Sequence, residues 1–276
     1  MKRQKISAIL LRIAVYLASL ITVGALLFVV GYILVKGVPN LSWKLFEWKY
    51  TTDNLSLLPA LLNTILMTAL SLLIAVPLGV FAAIYLVEYA KRGSKLVRVI
   101  RMNAETLAGI PSIVYGLFGM LFFVTALKLG FSMLSGALTI SIMILPVILR
   151  TSEEALMSVP DSFREGSFGL GAGRLRTVFR VVLPDAIPGI LAGVILGVGR
   201  TVGETAALLY TAGTSSDTVS GIMDSARTLS VHMYALSQEG LYINQTYATA
   251  VVLLIIVVGI NALSATVAKR VTRRKI

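Results

Sequence analysis

The chain has 276 residues, of which 57% are hydrophobic and 14% charged, and its net charge is +12. A soluble domain carries about 45–50% apolar and about 25% charged residues, so this composition excludes one and points to a protein that crosses a membrane several times. The absence of cysteine excludes a disulfide framework and thiolate chemistry.

The basic excess reads as cytoplasmic loops of a membrane protein, with no nucleic-acid partner. The opening MKRQK resembles the basic start of a signal peptide. Residues 13–35, however, form an uncharged run of 23. A signal core is about 7–15 residues long and needs a small-residue cleavage site, so this segment is expected to be a retained span. Residues 55–87 form a second uncharged run, long enough to tilt, with Pro77 as a candidate kink. Residues 106–127 and 129–149 are separated by Lys128 alone, and a turn at 128–130 makes them a hairpin. Residues 241–268 form another span.

The remaining apolar run, AIPGILAGVILGVG at 186–199, has only 14 residues. That is about 21 Å of helix against an apolar layer about 30 Å thick. It is expected to cross by continuing through Arg200 and Glu204 towards Gly213. Charge distribution requires the crossing. With six spans, 19 of the 25 Lys and Arg residues fall on the cytoplasmic side, whereas five spans would put the basic tail KRVTRRK outside. The expected fold is an all-α membrane protein with six transmembrane helices and both ends cytoplasmic, in the bacterial inner membrane. Residues 1–59 hold the tail, first span and outer loop. Residues 60–268 hold five spans and a cytoplasmic loop at 151–185, and 269–276 form a basic tail. The polar outer stretch 214–240 reads equally as a loop or a re-entrant element.

Arg200 and Glu204 interrupt the apolar GVGRTVGETAALL. A charge at a helix centre costs about 2.5–3.5 kcal/mol on an insertion scale. Spacing of four puts the two on one helix face, in the poorer order for an intrahelical pair. One reading is a structural pair or an Arg200 that reaches to the outer interface. The other is a solute path, in which guanidinium binds an oxyanion and Thr201 and Thr205 add hydroxyl donors. Gly197, Gly199 and Gly203 serve either reading.

The loop TSEEALMSVPDSFREGSFGLGAGRLRTVFRVVLPDAIPG reads as two short helices. Ser162 and Glu165 have capping-box spacing, predicting a helix from 162 to about 170, with Gly171 and Gly173 in its C-terminal turn. Leu175, Val178, Phe179 and Val182 form an apolar face on a second, basic helix lying on the membrane surface. Pro184 ends that helix or opens the next span. GLGAGR lacks the preceding strand and the lysine of a phosphate loop, so it carries no nucleotide-binding reading.

This loop resembles the cytoplasmic signature of ABC importer permeases: EAA, three residues, G, nine residues, then I-x-L-P. Glu165, Gly166 and Ser167 stand for EAA, Gly171 for the glycine, and Val181 to Pro184 for the end, Leu183 included. Two alanines are replaced by Gly166 and Ser167, and isoleucine by Val181. The resemblance implies the type I importer (MetI-like) permease fold. It further implies that the helix with Ser162, Phe163, Glu165, Gly166, Ser167 and Gly171 docks on a cytoplasmic ATPase. ETLAGIPSIVYGLFG at 105–119, GRTVGETAALLYTAG at 199–213 and NQTYATAVVLL at 244–254 narrow the resemblance to the PstA family of phosphate-importer permeases. The PstC family shares related motifs. Implied partners are a PstC-like sister permease, two PstB-like ATPase subunits, a PstS-like extracytoplasmic phosphate-binding protein and the bilayer. The chain itself would be no enzyme and would bind no cofactor or metal, with ATP and Mg used by the ATPase. Arg200 and Glu204 would line the phosphate path. Molybdate or sulfate import, or ATP-independent transport, are the rival functions. His232, the single histidine, is expected in the outer stretch without a metal role. Pro111 and Pro146 are candidate kinks, and Glu105 a helix cap or a partner for a cytoplasmic arginine.

Overall fold

Inside a bilayer every backbone N–H and C=O must be satisfied within the segment, so apolar runs of this length become helices. The computed structural model describes residues 2–91 and 93–273, and all regular structure among them is helical. The helices are α1 (Lys2–Gly37), α2 (Leu58–Ile84), α3 (Lys95–Ala108), α4 (Ser112–Gly119), α5 (Met133–Met157), α6 (Asp161–Gly169), α7 (Arg174–Thr177), α8 (Leu183–Gly203), α9 (Ala206–Leu209), α10 (Leu229–Glu239) and α11 (Ile243–Arg273). Five of these segments are long and apolar enough to cross a membrane, and a bent pair makes a sixth.

Helix α5 is the axis of the fold. Two thirds of its apolar window is buried, against one third for α2 and none for α1. Ile140, Met143, Ile144 and Ile148 are fully buried and pack with Met67 and Ala75 of α2 and with Leu208 and Ala212. Ser132 caps α5 by accepting from the Ser135 amide at 3.2 Å. The turn before it uses left-handed backbone at Lys128 (φ 55°) and Gly130 (φ 66°), which closes the expected hairpin. Helix α1 lies outside this core and touches α11, where Tyr32 meets Tyr247 edge-on at 5.8 Å.

Three expectations change. The segment at 106–127 is not a straight span. Helix α3 and the unit formed by α4 with a π-helical extension, Met120–Ala126, meet at 102°. Pro111 disfavours helical backbone at Ile110, which places the break there. The Tyr115 hydroxyl then donates to the Leu107 carbonyl across the bend at 2.8 Å. Amphipathic α3 packs on the end of α5 through Arg101 and Glu153, 2.5 Å apart, and Glu105 faces Arg150 at 3.7 Å.

The span carrying Arg200 gains its length from the other end. Arg174–Gly203 is one continuous 30-residue helical segment containing an apolar window, built of α7, a π-turn at Val178–Val182, and α8. The wide π-turn precedes Pro184, whose ring would otherwise meet the carbonyl four residues back. Val178 and Val182 are buried, while Leu175 and Phe179 are exposed, and the predicted surface helix is continuous with α8. Residues 151–157 likewise belong to α5. The stretch between the two long helical segments is 158–173, so helix continues into both ends of the expected loop 151–185.

The outer stretch folds back onto the helices. The Asn63 amide nitrogen reaches the carbonyls of Asp217 (3.1 Å) and Arg227 (3.3 Å), and its oxygen accepts from Val219 N at 3.2 Å. Thr64 Oγ1 accepts from Leu229 N at 2.8 Å at the start of α10. His232 is buried in α10, 3.3 Å from Arg227 Nη1, with its ring edge against Tyr50. Burial first, and the Arg227 charge second, push its pKa down to about 4. The unfolded chain would bind a proton here near pH 6.5, so stability is full above that value and falls as pH drops towards 4. Thermal unfolding of the purified protein between pH 7.5 and 4.5 should show this fall, and His232→Gln should flatten it.

Candidate functional site

Arg200 lies half-buried in the last turn of α8, where the helix dipole favours a cation. It stands close enough to Tyr115 of α4 to act electrostatically on its hydroxyl. On the α11 side, Asn261 Oδ1 lies 3.9 Å from where a side chain on Gly199 would begin. Among the described residues Arg200 makes no hydrogen bond and no ion pair.

Glu204 does not share its helix face. Helix α8 stops at Gly203, and Glu204 is extended at φ −73°, ψ 129°. Its side chain turns to α9, where Oε1 accepts from Ala207 N at 3.1 Å. Its own carbonyl accepts from Ser230 Oγ at 2.5 Å, tying α10 to the end of α8. The i,i+4 spacing therefore misled, because three intervening residues do not guarantee a continuous helix. Thr201 is buried and its hydroxyl donates to the Gly197 carbonyl at 2.9 Å. Thr205 is half-buried at the head of α9, with no side-chain cap bond. Among the described residues, no hydrogen bond or ion pair joins Arg200 to these hydroxyls or to the carboxylate.

A second group of residues forms the cytoplasmic tip. Helix α6 begins at Asp161, one residue before the expected capping box, with Pro160 at its N-cap and no side-chain cap bond. Ser162 and Glu165 are therefore ordinary exposed positions within the helix, as is Gly166. Its C-terminus follows expectation. Gly171 is left-handed at φ 82°, Gly171 N donates to Phe168 O at 2.9 Å, and Ala172 N donates to Ser167 O at 3.1 Å. Phe163, Phe168 and Leu170 are exposed, Leu170 by 92%. Ser167 Oγ lies 2.8 Å from Thr177 Oγ1 of α7. Leu183 and Pro184, which close the motif, are half-buried at the head of α8.

Arg164, counted from the sequence only as one more cytoplasmic charge, is the buried residue of this tip. Its Nη2 is 2.7 Å from Glu88 Oε1 and 2.9 Å from the Leu156 carbonyl, and its Nη1 is 2.7 Å from the Val159 carbonyl. The one signal for Glu88 was an acid closing the apolar run in YLVEYAKR.

The cap on α9 can be tested. Glu204→Ala removes an acceptor from a helix start and should cost about 1 kcal/mol, seen as a lower melting temperature. Glu204→Gln keeps the acceptor and should melt close to wild type.

Residues 75–276 match the family described as "Binding-protein-dependent transport system inner membrane component". The chain is 32% identical to the probable ABC transporter permease protein YqgI of Bacillus subtilis, over 82% of this chain and 81% of that protein. It is 36% identical to the phosphate transport system permease protein PstA 1 of Mycobacterium tuberculosis, over 78% of this chain and 71% of that one. Among solved structures, a bacterial alginate ABC transporter with its pentasaccharide-bound periplasmic protein aligns with a TM-score of 0.64 at 18% identity, covering 94% of this chain and 96% of that one. The MetNI methionine ABC transporter aligns at 0.56 and 20% identity, covering 87% and 96%. These two show the fold, the MetI-like importer permease. The chain thus belongs to the binding-protein-dependent inner-membrane permeases of ABC importers, in their PstA group, as a multi-pass inner-membrane protein.

Proposed function

We propose that this chain forms half of the translocation path of an ATP-driven importer of inorganic phosphate. The observation that carries the reading is Arg200, a cation near the end of a membrane span with no ion partner among the described residues. Such a charge is costly unless something of opposite sign meets it, and the planar fork of guanidinium donors suits phosphate oxygens. The relatives named as phosphate permeases support that choice of anion.

In this reading a sister permease of PstC type completes the path, and an extracytoplasmic binding protein of PstS type delivers phosphate to it. Of two ATPase subunits in the complex, one docks against α6, whose exposed Phe163, Phe168 and Leu170 offer apolar contacts beside Glu165 and Gly166. ATP and Mg are bound and used by those subunits. Nucleotide-driven movement of α6 opens the path alternately to either side. Tyr115, on which the Arg200 charge acts, and Asn261, beside Gly199, are polar groups on the neighbouring helices. Glu204 acts from the second row, by holding α9 against the end of α8.

The test is labelled phosphate uptake in phosphate-starved cells deleted for this chain and complemented with variants. Wild type should restore uptake, with unlabelled phosphate competing and sulfate or molybdate not. Losing charge-assisted hydrogen bonds of about 1.5–3 kcal/mol, Arg200→Gln should lower uptake at limiting phosphate about 10- to 100-fold at normal expression. Competition by sulfate or molybdate would change the substrate, and full uptake by the variant would remove Arg200 from the path. Gly171→Asp puts a side chain on left-handed backbone and so distorts the end of α6. In the purified complex it should leave ATP hydrolysis running while uptake drops. Wild-type uptake in that variant would detach this turn from coupling.

A further inference from the structure

Helix α6 is exposed along most of its length, and Arg164 is the side chain that anchors it. The Arg164 side chain is only 14% exposed and that of Glu88 7%. Nε and Nη2 both approach Glu88 Oε1, at 3.1 and 2.7 Å. Nη2 also reaches the Leu156 carbonyl, and Nη1 the Val159 carbonyl and the Asp161 carboxylate. Glu88 sits in the π-turn Tyr85–Tyr89 that ends α2, Leu156 lies in the last turn of α5, and Val159 follows just after it. One side chain of α6 therefore grips the cytoplasmic ends of the two helices that form the core.

A buried ion pair is weak evidence for stability, because apolar groups of the same volume often stabilise as well. What the pair adds is direction. A planar fork bonded at several points fixes distance and angle together, which a lysine or an apolar contact does not. The second link, Ser167 to Thr177, joins α6 to the start of the segment that carries Arg200.

We propose that Arg164 is the positioning residue that makes α6 rigid with α2 and α5, so that displacement of α6 moves this core pair as one body. Without it α6 swings on its 158–173 connection, and movement reaches the spans only through Ser167 and Thr177. The proposal rests on reading α6 as the ATPase-docking helix.

The experiment uses the complete complex in proteoliposomes. The ratio of phosphate transported to ATP hydrolysed is measured for wild type, Arg164→Ala, Arg164→Lys and Glu88→Gln, together with co-purification of the ATPase. Breaking the buried pair should lower the ratio at least about tenfold in Arg164→Ala, and several-fold in the two milder variants, with the ATPase still bound. If Arg164→Ala does not assemble, Arg164→Lys and Glu88→Gln carry the test. A wild-type ratio in all assembled variants, with transport falling only in step with the amount of complex, overturns the proposal. A wild-type complex that takes up no phosphate overturns the substrate reading instead. Because the chain has no cysteine, spin labels at Ser162→Cys and Met157→Cys then read the joint directly, whatever the solute. One narrow distance distribution that broadens in Arg164→Ala supports the joint, and an equally narrow distribution in that variant overturns it.

Discussion

Everything else in this fold is arranged around the close approach of α2 and α5. A side chain on Gly79 would run into Ile148 at 2.8 Å, and one on Gly136 into the Met67 methyl at 2.8 Å. Ser141 Oγ adds a bond to the Ser71 carbonyl at 3.0 Å. In lipid the usual hydrophobic drive between helices is missing, so close packing of small residues and short polar contacts must hold them together. That requirement explains why α5 is buried along most of its length while α1 stays on the outside.

Around this pair the chain distributes its charges by depth. The cytoplasmic ends carry carboxylate–guanidinium pairs, Glu88 with Arg164 and Glu153 with Arg101, in which the acid is buried and the base covers it. At the outer end of α8 the pattern reverses. Glu204 spends its carboxylate on a backbone amide of α9, and Arg200 keeps its donors unused among the described residues. Charges that hold helices are satisfied inside the chain. Arg200, which we propose meets phosphate, has no ion partner among the described residues, and an unsatisfied group is what a solute site needs.

Breaks in helices are used as positioning devices. The bend at Pro111 lets α3 lie across the end of α5 while α4 turns to face α9 and Arg200. The end of α8 at Gly203 frees Glu204 to cap α9 and brings α10 back against the core. Left-handed Gly171 stops α6 so that the chain can return to the membrane as α7.

The number of spans, their rough positions and the sidedness of the chain were legible in the sequence, because length, hydropathy and the placement of Lys and Arg are local properties that the bilayer reads directly. The turn that ends α6 was legible too, since left-handed Gly171 depends on backbone conformation alone. Tertiary structure decided the rest. Spacing put Arg200 and Glu204 on one face, but whether a helix continues between them depends on α9 and α10 waiting to accept Glu204. The short apolar run before Arg200 borrowed its length from 174–185, because packing of Val178 and Val182 against Ala83 and Leu156 makes helix favourable there. Nothing local joins Glu88 to Arg164, 76 residues apart. They meet because the packed ends of α2 and α5 leave one polar corner, which a fork of donors on α6 fills.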